Sequence, residues 1–198
     1  MTQHIKTIAA ILAGGASRRM GRDKSFIEVD GVMMIERVIG AVKPVCSDIV
    51  IIANQPEGFH HLNLPIYPDI ITGMGPLSGL HSAFANTGAD EIFLAACDMP
   101  YISPAVAEKI LAYPMNGFDA AIPFVNGLEQ GLLARYSTKA MERFNDRIAE
   151  GSIKFDEFRK GLHKTLIGEE VFKTVDSELR SFINLNSPED MEQLSRRN

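Results

Sequence analysis

The sequence predicts an α/β protein: a three-layer α/β/α sandwich around a doubly wound, mostly parallel sheet. Three observations predict it. Short apolar runs alternate with stretches of helical period. The runs are apolar on both faces, as strands covered by helices on both sides must be. Polar residues close several of them, namely Gly14-Gly15, Asn54, Asp69 and Asp98. In such sheets ligands sit beyond the carboxyl ends of the strands, so these four points predict one crevice.

Each element follows in order. Residues 7–12 (TIAAIL) form the first strand. Residues 34–42 form a helix, with Ile35, Val38, Ile39 and Val42 on one face. Residues 48–53 (DIVIIA) are a β-branched second strand, and residues 64–67 a short third. Residues 76–86 form a helix stopped by Thr87-Gly88. Residues 91–97 (EIFLAAC) are the fourth strand. Ser103-Pro104 starts the next helix, serine as cap and proline in the first turn. Residues 120–124 and 132–136 read as further strands, 137–150 as an amphipathic helix and 182–185 as a late strand. Ser187-Pro188 caps a last helix. Residues 150–180 carry mixed charge and weak periodicity and predict no definite element.

The 198 residues predict a single domain, 1–198, without internal repeat or linker. A chain of this length buries roughly 70% of its unfolded surface and needs no staples. The net charge of −5 argues against non-specific nucleic-acid binding, so the basic cluster described below is local. Two cysteines, Cys46 and Cys97, cannot build a disulfide framework, which points to a reducing compartment. The first apolar run is very short for a signal peptide and is followed by arginines. No stretch approaches the ~20 apolar residues of a membrane span. These features predict a cytoplasmic protein with neither membrane nor nucleic-acid partners.

The first strand opens into Leu12-Ala13-Gly14-Gly15-Ala16-Ser17-Arg18-Arg19-Met20-Gly21-Arg22-Asp23-Lys24. Bare amides beside four cations suit a polyphosphate. The P-loop spacing fails, because Gly15 and Gly21 enclose five residues and Arg22-Asp23 precede Lys24-Ser25. The dinucleotide fingerprint fails too, since Gly14-Gly15 is not G-x-G. That disfavours a plain Rossmann dehydrogenase.

The run resembles the L-A-G-G-x-S-x-R-M-G-x-D-K signature of MobA-like nucleotidyltransferases. Within them it is most similar to the molybdenum cofactor guanylyltransferases. Three further segments follow in the family's order. They are Gly75-Pro76-Leu77-Ser78-Gly79-Leu80, Cys97-Asp98-Met99-Pro100-Tyr101 and Asn184-Leu185-Asn186-Ser187-Pro188-Glu189-Asp190. The resemblance implies a Rossmann-like nucleotidyltransferase fold and a Mg²⁺-dependent transfer of GMP from GTP to the phosphate of molybdopterin, with or without bound molybdenum. The products are the guanine dinucleotide cofactor and pyrophosphate. Other cofactor-biosynthesis proteins or apo-molybdoenzymes are the implied further partners.

The roles of single residues combine reach with that resemblance. Leu12, Ala13, Gly14 and Gly15 would border the nucleotide, the glycines allowing its close approach. Arg19 and Lys24 are the candidates for the triphosphate, Arg as a two-pronged clamp and Lys as a movable charge. Arg18 and Arg22 either contact phosphate or face solvent. Asp23 either orients Lys24 or caps the next segment. Asp98 is the candidate Mg²⁺ ligand by resemblance, the alternative being a turn cap. Cys97 reads as a buried small residue. Gly14, where CTP-using relatives tend to carry alanine, leaves room for a purine. Asn54 and Asp69 are candidate nucleotide contacts, the resemblance implying that Asp69 accepts from guanine N1 and N2; capping of the 70–75 loop is its alternative. Asn184 and Asn186, read as alternating on a strand and so sharing a face, are assigned by the resemblance to the pterin. Pro188-Glu189 reads as a helix start.

Two departures stand out. Ile52 replaces a frequent asparagine, and Gly131 replaces the proline of Q-P-L, which is expected to loosen that loop. The five histidines show no zinc-ligand spacing. Two alternatives stay open: a nucleotidyltransferase using another nucleotide such as CTP or another phosphorylated acceptor, and a non-catalytic protein that binds and delivers nucleotide or cofactor.

Overall fold

A computed structural model describes residues 5–13 and 24–185. The strands are β1 (Thr7–Leu12), β2 (Glu28–Val29), β3 (Val32–Met33), β4 (Ile49–Ile52), β5 (Ile66–Tyr67), β6 (Glu91–Ala96), β7 (Ala120–Val125), β8 (Leu128–Glu129), β9 (Leu133–Ser137) and β10 (Lys164–Gly168). The helices are α1 (Met34–Val42), α2 (Pro76–Thr87), α3 (Pro104–Ala112), α4 (Thr138–Glu142), α5 (Asn145–Ala149), α6 (Phe155–Gly161) and α7 (Glu169–Lys173). 3-10 helices cover Lys24–Phe26, Pro56–Leu62 and Arg180–Phe182.

The main sheet runs β10-β7-β9-β6-β1-β4-β5, with β8 paired to β7. β1 lies parallel to both β4 and β6, β4 to β5, and β7 to β10. β9 is antiparallel to β6 and β7, and β8 is antiparallel to β7. The sheet is therefore mostly parallel and α/β, as predicted. β8 and β9 are the reversed strands within it, and a short hairpin explains the reversal. Asn126 and Gly127 both have positive φ (53° and 76°), the geometry of a tight Asn-Gly turn between β7 and β8.

The core divides by strand parity. Ala9 and Ile11 of β1 face a cluster with Ile35 and Val38 of α1 and Val106 and Ile110 of α3. Ile8 and Ala10 face the other cluster, with Leu77 and Leu80 of α2 and Phe158 of α6. β1 thus sits fully covered at the centre, and the chain order reverses beside it. β4 and β5 lie on one flank and β6 on the other. The crevice at that switch point lies beyond the ends of β1 and β6.

Several elements depart from expectation. The 137–150 helix is broken into α4 and α5. At the break, Arg143 reaches back to the buried Asp119, Nε to Oδ2 at 2.5 Å, while the Phe144 ring turns in against Phe158. The expected 182–185 strand is absent. Arg180–Phe182 is a 3-10 turn, and Leu185 donates its N–H to the Asp98 carbonyl (2.8 Å) rather than to a strand. The alternation argument for Asn184 and Asn186 falls with it. Residues 64–67 pair only over Ile66–Tyr67. Residues 150–180 contain α6, β10 and α7, with β10 an edge strand beside β7. The expected Ser187-Pro188 helix start lies outside the described residues, as does Glu189.

Candidate active site

The loop after β1 leaves and returns against the same turn. Leu12 accepts the Cys97 N–H at 3.0 Å, and Ala13 donates to the Ile52 carbonyl at 2.9 Å. Gly14, Gly15, Arg18, Arg19, Arg22 and Asp23 lie outside the described residues. The chain resumes at Lys24, and the buried Ser25 hydroxyl donates to the Cys97 sulfur at 3.3 Å. Both ends of the loop are therefore tied to the end of β6.

Asp98 follows Cys97 at that point. Burial pushes its carboxyl above the ordinary range, and the Lys24 charge and its own backbone N–H pull it back in part. Its Oδ1 is buried and has no hydrogen-bond partner among the described residues. An oxygen so placed fits a cation. No group of three or more His, Cys, Asp or Glu among the described residues could hold one. One carboxylate completed by phosphates and water suits Mg²⁺, which retains several waters.

At the ends of β4 and β5, Asn54 and Asp69 bond reciprocally. Asn54 Nδ2 donates to Asp69 Oδ2, and the Asp69 N–H donates to Asn54 Oδ1, each at 2.9 Å. Ser82 of α2 holds the preceding Pro68 carbonyl at 2.6 Å. A Cβ on Gly79 would fall 2.5 Å from Leu12 Cδ2, 3.3 Å from Ile52 Cγ2 and 3.7 Å from Asp69 Oδ1. The bare glycine lets α2 lie directly on the strand ends. Ile52 is 4% exposed, so the departure places an apolar floor beside the Asn54–Asp69 pair.

Further along the edge lies a cavity of about 610 Å³. It opens between the 73–76 turn, Met99, the 129–132 loop, Lys154 with the start of α6, and Asn184. Lys154 Nζ donates to the Gly73 carbonyl. Arg159 pairs with Glu129, whose carboxylate also holds Lys164 at 2.9 Å. The turn ahead of α2 requires glycine, since Gly75 has φ 66° and ψ −140°.

The structure brings Leu12, Ala13, Lys24 and Asp98 together, sets the Asn54–Asp69 pair at the neighbouring strand ends, and ties the Asn184 segment to Asp98 through Leu185. Asn186 lies outside the described residues. The loosened loop is not found. Gln130 donates to Pro123 O (2.8 Å), Leu133 to Gln130 O (3.1 Å), and Tyr136 Oη to Gly131 O (2.8 Å). A Cβ at Gly131 would lie 2.7 Å from Arg159 Cδ and 3.1 Å from the Phe155 ring, so the glycine admits α6 rather than freeing the chain. Lys154, Phe155, Glu129 and Arg159 join the site without a signal in the sequence. They meet only through long-range packing of a weakly periodic segment, and no local pattern marks them.

No helix among the described residues is long and apolar enough to cross a membrane. Residues 9–157 match the MobA-like NTP transferase domain. The chain is 34% identical over 183 residues to the molybdenum cofactor guanylyltransferase of Desulfosudis oleivorans, covering 92% of this chain and 91% of that protein. It is 33% identical over 187 residues to the probable molybdenum cofactor guanylyltransferase of Pelotomaculum thermopropionicum, covering 94% and 91%. The crystal structure of molybdopterin-guanine dinucleotide biosynthesis protein A from Archaeoglobus fulgidus superposes with a TM-score of 0.80 at 27% identity, over 96% of this chain and 97% of that one. The 2-C-methyl-D-erythritol 4-phosphate cytidylyltransferase of Thermus thermophilus shares the fold, with a TM-score of 0.67 at 14% identity, over 97% of this chain and 100% of that one.

Proposed function

The chain belongs to the MobA-like NTP transferase family, and we propose that it transfers GMP from GTP to the terminal phosphate of molybdopterin. It is a nucleotidyltransferase of molybdenum cofactor biosynthesis. In the proposed reaction an acceptor phosphate oxygen attacks the α-phosphorus of GTP, the α–β bridging bond breaks, and pyrophosphate leaves with the electron pair. The nucleophile is already ionised, so no general base is required. The obstacle is repulsion: two unit charges 4 Å apart cost ~4 kcal/mol at an effective dielectric of 20. Positioning and neutralisation carry the catalysis.

The residues divide that work. Lys24 brings a cation to the loop's return, beside Asp98. Asp98 would hold Mg²⁺ through the unpartnered Oδ1. Bound there, the ion would neutralise phosphate charge. Asp69, oriented by Asn54, would accept from guanine N1 and N2. Leu12 and Ala13 would border the nucleotide. For Gly14, Gly15 and Arg19 at the phosphates, and Asn186 at the acceptor, the support is the sequence pattern. Asn184 and the adjoining cavity would receive the pterin side.

One observation carries the reading. Leu185, the neighbour of cavity-lining Asn184, hydrogen-bonds the backbone of Asp98, and Met99, the next residue, lines the cavity, so the cavity wall is tied to the residue that would carry the metal. The same reading treats residues 1–198 as one domain in the cytoplasm, handing product to other cofactor-biosynthesis proteins or apo-molybdoenzymes. Incubation of the protein with GTP, Mg²⁺ and molybdopterin should yield the guanine dinucleotide and pyrophosphate. Folded protein without product would refute the proposal. A nucleotide competition panel should favour GTP; preference for CTP would reassign the donor.

A further inference from the structure

We propose that Ser181 is a positioning residue for the transfer, setting where Asn184 stands relative to Asp98 and thereby aligning the acceptor phosphate on the nucleotide. This rests on the reading of Asp98 as metal ligand and Asn184 as acceptor contact.

Residues 181–185 run antiparallel to the turn 98–103 and are pinned at both ends. At one end the Ser181 hydroxyl, completely buried, accepts from the Ser103 N–H (3.1 Å) and donates to the Tyr101 carbonyl (3.2 Å). At the other, the Leu185 N–H donates to the Asp98 carbonyl (2.8 Å). Asn184 lies between the pins and lines the cavity with Met99.

The pin at Ser181 is itself held. The Asp176 carboxylate accepts from the N–H groups of Arg180 (3.1 Å) and Ser181 (2.8 Å). Phe182 packs edge-on against Phe172, ring centres 4.9 Å apart. The Arg180 guanidinium lies 5.1 Å from the centre of the Tyr101 ring. The segment makes no strand ladder, so the Ser181 hydroxyl, serving two backbone groups, fixes its approach to the turn together with the Leu185 N–H. Ser103 also caps α3, its hydroxyl accepting from Val106 N–H at 3.2 Å. A merely structural Ser181 would only steady that cap. A positioning Ser181 acts through Asn184 on the acceptor.

A double-mutant cycle separates the two roles. Ser181→Ala should raise the acceptor KM and lower kcat, together by about ten- to a hundred-fold in kcat/KM, as small misplacements at a reacting centre do. The KM for GTP should stay within about two-fold, since the donor contacts lie elsewhere. In an Asn184→Ala background the same change should add less than about two-fold to the acceptor KM, because coupled residues are non-additive. Ser181→Cys, close in shape and a weak donor, tests the same direction if the alanine variant does not fold. A lowered melting temperature with unchanged kinetics overturns the proposal. So does an effect of equal size in the Asn184→Ala background. Wild-type protein that forms no dinucleotide refutes the function beneath it; wild-type turnover with unaffected Ser181 variants refutes only the positioning.

Discussion

Asn54 and Asp69 close a two-bond ring across the ends of β4 and β5, the amide donating to the carboxylate and accepting from the backbone N–H, both at 2.9 Å. The ring orients a carboxylate that would otherwise rotate. Hydrogen bonds to charged groups contribute about 1.5–3 kcal/mol. Asn54→Ala should therefore raise the KM for GTP by roughly ten-fold or more and erode the preference for GTP over CTP. Competition kinetics with both nucleotides check this. An unchanged ratio would remove the pair from base recognition.

Asp98→Asn should separate chemistry from folding. The carboxyl is buried, its Oδ1 is unpartnered and burial disfavours its charge. A neutral amide of the same shape relieves that cost. We expect turnover to fall by at least about a hundred-fold, the scale of losing a charge-stabilising group. The melting temperature without metal should be unchanged or higher. A variant that retains turnover would displace Asp98 from the metal.

Gly131→Ala should harm the acceptor side and the fold but spare the donor side. The added carbon would sit 2.7 Å from Arg159 Cδ and 3.1 Å from the Phe155 ring, so both side chains of α6 must give way. Overpacking of this kind costs about 1–3 kcal/mol. The acceptor KM should rise, GTP affinity should hold, and the melting temperature should drop. Steady-state kinetics varying each substrate in turn, with thermal melts, distinguish the three effects.

Legibility followed the range of the contacts. β1 and β6 could be read because burial on both faces leaves a continuous apolar run. Asn54, Asp69 and Asp98 could be read because they stand where such runs end. The direction of β9 could not, since an apolar run carries no mark of its polarity; the Asn126-Gly127 turn that reverses the chain was the available signal. α6 and its cavity-facing residues were hidden because Lys154, Phe155 and Arg159 meet the 73–76 and 129–132 segments only in the folded chain. The Leu185–Asp98 bond is hidden for the same reason. Residues 182–185 have strand-like composition but lie across a turn instead of beside a strand.

His81 on α2 predicts an acid sensitivity separate from the chemistry. Its Nδ1 is buried without a partner among the described residues, and burial lowers its pKa from 6.5. The native state thus resists a proton that the unfolded chain accepts. Between the two pKa values the unfolded state binds more protons, so stability rises with pH there. The contribution is intact above about pH 6.5 and is lost as the pH falls toward the lower, native pKa. The readout is a difference between proteins. His81→Leu removes the titrating group from the same helical position. Thermal melts from pH 7.5 to 5 should show the wild type losing more stability on acidification than the variant. Parallel profiles would mean that the His81 ring gains a proton in the folded protein as readily as in the unfolded chain.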